Sequence, residues 1–140
     1  MKSWISYAII STIFAGFTSV IAKIGLAGIS GELGLAIRTS FVFIFVLSFA
    51  FFAVPHSQVA MLTKNNIFWL GLSGVTTSLS WIFYYKALKD GEVSTVAMID
   101  KGSMVVAVIL AFILLKEQIT WRTIAGGALI SAGILIIARK

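Results

Sequence analysis

The chain has 140 residues, 59% of them hydrophobic and only 11% charged, with one proline and no cysteine. So few charges cannot solvate a soluble domain of this size, so lipid must be the solvent for much of it, and disulfides and thiolate metal sites are excluded. The formal charge of +6 does not point to nucleic acid, because most basic residues sit at the ends of apolar spans, where headgroups and topology account for them.

The first span runs from about Trp4 to Ile24, with Lys2 before it and Lys23 at its far end. A charged start followed by an apolar run can imitate a signal peptide. Equally apolar spans follow and no small-residue cleavage site ends this one, so it reads as a transmembrane helix. Gly25, Gly28, Ser30, Gly31 and Gly34 mark the first turn, with Glu32 among them. The second span, about Leu33 to Val54, is rich in phenylalanine and reads as lipid-facing, with Arg38 its only charge. Pro55 stops it, and His56 to Asn66 form the longest polar connection. His56 reads as a solvated loop residue.

The third span runs from about Ile67 to Leu88. Its first half is thin and packable, with Gly71, Ser73, Gly74, Thr77 and Ser78; Trp81, Phe83, Tyr84 and Tyr85 crowd its second half. Tyr84 and Tyr85 fit an interfacial aromatic belt. Trp81 lies about 10 Å inside the end of the span, deep for a belt residue, which leaves a cavity-lining role open.

Lys89 to Glu92 turn the chain into a fourth span, Val93 to Leu115, long enough to cross the roughly 30 Å hydrocarbon core as one helix. Only Asp100 and Lys101 interrupt it, each costing about 3 kcal/mol near a helix centre. The fifth span, about Ile119 to Ala138, carries Gly127 and Ser131, like Ala128 and Ala132, four apart on one face. Small residues at this spacing favour close helix contacts, within the subunit or, as favoured here, between subunits. Together these spans predict an all-α bundle of five transmembrane helices in one domain.

Five spans place the chain ends on opposite sides of the membrane. Lys23, Lys86, Lys89, Arg139 and Lys140 flank one side, and Lys2, Lys64, Lys116 and Arg122 the other. So weak a bias predicts insertion both ways up. Arg38, Asp100 and Lys101 all lie just inside spans that start from the same side. The simplest arrangement pairs Asp100 with Arg38 or with Lys101, since an unpaired intramembrane charge is costly. Such a pair can merely orient helices, or it can be a substrate or proton site.

One set of stretches stands out in combination: Ile37-Arg38-Thr39, Ser80-Trp81, Tyr84 to Leu88, Gly91, Val96 to Lys101, Leu115-Lys116-Glu117, Gly126-Gly127-Ala128 and Ala132-Gly133. Together they are similar to one domain of the EamA family, within the drug/metabolite transporter superfamily. The resemblance covers essentially the whole chain, though family members commonly have proline where Met98 stands. Most members resemble a fusion of two such domains related by an inverted repeat, whereas this chain supplies one. The odd span count, the balanced lysines and arginines and the packable last helix therefore suggest an antiparallel homodimer. The related small multidrug-resistance transporters carry an essential Glu in the first helix. No acid stands there in this chain, so that route of drug export is not supported.

The resemblance implies a multi-pass protein of the cytoplasmic (inner) membrane that transports a small polar metabolite. Arg38, Trp81, Tyr85, Asp100 and Lys101 are the candidate substrate and coupling residues. The excess of Arg38, Lys101, Lys23 and Lys86 over Asp100 tilts the expected solute towards anions or zwitterions. A non-transporting membrane subunit that stabilises a larger complex is the competing reading. An enzyme is not expected: there is one loop histidine, no nucleotide-binding glycine loop, and no pair of acids placed for a metal. No cofactor is implied.

Overall fold

The computed structural model describes residues 3–139, so Lys2 and Lys140 in the basic count lie outside the described residues. The chain is all-α. Its helices are α1 (Ser3–Gly25), α2 (Gly31–Ala53), α3 (His56–Val59), α4 (Lys64–Asp90), α5 (Val93–Asp100), α6 (Ser103–Leu115) and α7 (Trp121–Ala138). Among the described residues α1, α2, α4, α5 with α6, and α7 make five stretches long and apolar enough to cross a membrane. Large apolar side chains such as Phe45 and Phe52 stand 73% and 86% exposed, a surface that water would not tolerate and lipid does.

Local chemistry explains where the helices begin and end. Ser30 caps α2, its hydroxyl accepting from the Leu33 N–H at 3.2 Å. The expected glycine-marked turn therefore ends at Ser30, and Gly31, Glu32 and Gly34 are helical; Gly28, with φ +76°, makes the turn itself. Val54 is extended, as a residue before proline must be, and it ends α2. The polar connection after it holds a four-residue helix, α3. Thr63 accepts from the Asn66 N–H, so α4 starts at Lys64, three residues before the expected span. Thr120 does the same for α7 through the Thr123 N–H, which moves its start to Trp121.

The chain divides into two compact units. The first holds residues up to Ile21 with those from Gly91 on; in it α5 and α6 pack on α7. The fourth span, expected as a single helix, is interrupted at Lys101-Gly102. The N–H groups of Lys101, Gly102, Met104 and Val105 each bond a carbonyl three residues back, a tightened 3₁₀ turn. Gly102 permits it: a Cβ there would stand 3.0 Å from the Ile99 carbonyl oxygen.

The second unit, Ala22–Asp90, contains the last turn of α1 and the pair α2 and α4, which pack on each other. The buried apolar side chains are Leu26, Tyr85 and Leu88, at 2%, 4% and 0% exposure, all at the end where α1 and α4 finish and α2 starts. Gly31 is buried there too, because it is the crossing point: a Cβ on it would lie 2.8 Å from the Tyr85 carbonyl oxygen. A Cβ on Gly34 would collide with the Leu26 side chain.

Candidate functional site

Lysines at the packed end of the second unit have structural partners. Lys23 Nζ donates to the carbonyls of Leu88 (2.7 Å) and Lys89 (2.9 Å), in the last turn of α4, where carbonyls lack helical partners. Lys89 Nζ returns the bond to the Leu26 carbonyl just past the end of α1, at 3.0 Å. Each lysine thus places positive charge where the partner helix carries its negative end. Lys86 Nζ stands 3.3 Å from Glu32 Oε1, an exposed pair joining α4 to the first turn of α2. Glu32, read from the sequence as a turn residue, is a helical partner of Lys86. Such a partner is recognisable in sequence only once Ser30 is known to cap α2, which then begins at Gly31.

Arg38 is held differently. Its guanidinium carbon lies 4.3 Å from the Trp81 ring centre and 5.9 Å from that of Tyr85. Both are within reach of a cation–π attraction, which strengthens where water is excluded. Its Nη1 atom is buried and meets no hydrogen-bond acceptor among the described residues. A guanidinium can donate five hydrogen bonds, so one nitrogen left buried and unpaired is an uncommon and costly arrangement. Tyr85, whose place near a span end fits an interfacial belt, is buried within the unit rather than exposed on its surface. Its backbone forms the α2–α4 crossing while its ring faces Arg38.

Beside this cluster α2 and α4 enclose an open groove of about 840 Å³. Leu35, Phe43, Ile44 and Ile82 make it apolar, Thr39, Ser40 and Ser78 add hydroxyls, and Glu32 lies in its wall. Trp81 lines it as well; Arg38 does not. The indole therefore touches both the groove and the Arg38 guanidinium.

In the first unit Asp100 closes α5, and its Oδ2 lies 3.8 Å from Lys101 Nζ. Of the two partners expected for Asp100, Lys101 is the one it meets within the unit. The pair sits on the interruption of the fourth span, with side chains 38% and 52% exposed, a long and loose contact. Of the small-residue face on α7, Gly127 and Ser131 are half-buried, whereas Ala128 and Ala132 are exposed. Gly127, Ala128 and Ser131 border a groove of about 550 Å³ against α6. Ser131 satisfies its hydroxyl on the Gly127 carbonyl at 2.8 Å. A Cβ on Gly127 would meet nothing within 4 Å.

The model of the EamA-like transporter family matches residues 2–139. The chain belongs to this family. A Sinorhizobium sp. protein described as an uncharacterized transporter in the cobO 3' region is 32% identical over 137 residues, 98% of this chain and 97% of the relative. No solved structure matches. An EamA-like chain with five apolar spans is a multi-pass protein of the cell membrane, and its family is one of transporters rather than enzymes. In this EamA-like protein Arg38, Trp81 and Tyr85 form one cluster, and Asp100 and Lys101 a second in the other unit.

Proposed function

We propose that the protein is a secondary transporter of a small polar metabolite across the cytoplasmic membrane, working by alternating access as an antiparallel homodimer of single EamA-like domains. The observation that carries this reading is Arg38: a guanidinium inside an apolar span, against Trp81 and Tyr85, with a buried nitrogen lacking an acceptor among the described residues, beside a groove of metabolite size. Intramembrane charges are expensive and mark solute or ion pathways, and pockets of a few hundred to about 1,000 Å³ suit small ligands. In this reading Arg38 holds the polar group of the solute, and Trp81 and Tyr85 orient the guanidinium. Asp100 and Lys101, on an interrupted span, serve coupling, since broken helices in transporters gather ion and substrate contacts.

The antiparallel homodimer rests on the weak charge bias between the two sides and on the α7 face of Gly127, Ala128, Ser131 and Ala132. The open space over Gly127 suits the approach of a helix from a second copy.

Purified protein in sealed proteoliposomes tests the reading. Solute exchange or accumulation with this protein alone, lost in Arg38→Gln and impaired in Trp81→Ala, is the expected result. No flux of any solute from a broad metabolite library, by a well-folded protein, would favour the membrane-subunit reading instead.

A further inference from the structure

The transport reading leaves the solute's chemical class open; the partners of the basic residues narrow it. At the packed end of the second unit Lys23 and Lys89 are committed to helix-end carbonyls and Lys86 to Glu32. Arg38 is the cation there whose buried nitrogen has no acceptor among the described residues. Aromatic faces stabilise its charge without cancelling it. One uncompensated positive charge accommodates one negative charge; a second would meet only lysines already committed to other partners.

The groove next to that charge is mostly apolar. Leu35, Ala36, Phe43, Ile44 and Ile82 can cover a hydrocarbon body, while Thr39, Ser40 and Ser78 offer scattered hydroxyls rather than a polar cage. Trp81 lines the groove and stacks on Arg38, which itself does not line it. The indole is thus the groove residue in contact with the guanidinium, and an anionic head that reaches Arg38 changes its surroundings.

We infer that the solute is an organic monoanion, a carboxylate on an apolar body: the carboxylate pairs with Arg38, and the body lies along the groove. This rests on the proposed role of Arg38 as the charge that holds the solute. A planar carboxylate matches the guanidinium fork, whereas a doubly charged phosphate ester brings a charge the site does not balance.

Tryptophan emission tests it. Of the four tryptophans, Trp4, Trp69 and Trp121 are changed to Phe, leaving Trp81 as the reporter. The protein, in nanodiscs at about pH 8, where a phosphate monoester is doubly ionised, is titrated with hexanoate, acetate, hexanol and hexyl phosphate. Hexanoate should shift the emission saturably. Acetate should bind at least about tenfold more weakly, since each buried methylene adds roughly fourfold. Hexyl phosphate should bind more weakly than hexanoate, and hexanol should give no saturable shift. Arg38→Gln should abolish the hexanoate response. Arg38→Lys, which keeps the charge and serves should the first variant fold poorly, should weaken it.

Equal responses to hexanol and hexanoate would make the groove a lipid or hydrocarbon site and overturn the inference. So would tighter binding of hexyl phosphate, or a hexanoate response that survives in Arg38→Gln. The same protein is then assayed for hexanoate flux in proteoliposomes. Arg38-dependent binding without flux upholds the solute class and counts against transport. Flux of some other solute that needs Arg38, with no hexanoate binding, upholds transport and overturns the class.

Discussion

Replacing Gly31 by alanine should separate the two helices that carry Arg38 and its aromatic partners. The added Cβ would stand 2.8 Å from the Tyr85 carbonyl oxygen, 3.0 Å from its carbon and 3.3 Å from the Lys86 nitrogen. All three are backbone atoms in a helix, so no side-chain rotation relieves the contact. Ordinary contact begins at 3.4 Å, so the crossing must open by about 0.6 Å, and overpacking of this kind costs about 1–3 kcal/mol. Gly71→Ala and Gly74→Ala are the controls, because a Cβ at either meets nothing within 4 Å. Those two sit inside α4, where alanine should instead gain up to about 1 kcal/mol of helix propensity. Reversible unfolding in mixed micelles, followed by circular dichroism, should therefore place Gly31→Ala below the parent and the controls at or above it. Because Tyr85 forms the crossing and also faces Arg38, Gly31→Ala should weaken solute exchange as well. Equal stability of Gly31→Ala and Gly71→Ala would show that the α2–α4 crossing is not the close contact described.

Four further outcomes are expected. Lys23→Met should destabilise the protein by about 1–2 kcal/mol by leaving the Leu88 and Lys89 carbonyls without their charged donor, and the loss should be non-additive with Lys89→Met in a double-mutant cycle of unfolding free energies. Lys116→Gly should raise stability by about 1 kcal/mol in the same unfolding assay, since Lys116 ends α6 at φ 54°, a left-handed conformation that costs a side-chain-bearing residue. Asp100→Asn should abolish proton-driven accumulation in proteoliposomes while sparing exchange; if the Asp100–Lys101 pair were purely structural, Asp100→Asn with Lys101→Met would instead transport better than either single variant. Tags at both termini should be accessible from both sides of the membrane in the unmodified protein, and two or three added lysines on one side should fix a single orientation; one orientation from the outset would refute the antiparallel homodimer.

The amino-acid sequence alone determines that this is a membrane protein with five apolar spans. Span length and hydropathy are properties of a contiguous segment measured against the thickness of a bilayer, and need no partner to be read. It also singles out Arg38, Asp100 and Lys101, because a charge inside an apolar run is conspicuous whatever surrounds it. Local rules reach less far. They place Thr63 and Thr120 near helix starts without showing that these hydroxyls cap α4 and α7, and they read Val93 to Leu115 as one helix although Gly102 allows the tightened turn that divides it. What a charge is for is decided only by tertiary packing. Lys23 and Lys86 look like candidates for an anion site until packing brings the carbonyls at the end of α4 to the first and Glu32 to the second, partners far away along the chain. Arg38 is left with two aromatic faces and a nitrogen unpaired among the described residues because α2 crosses α4 at Gly31, where the absence of one methyl group sets the distance between the helices.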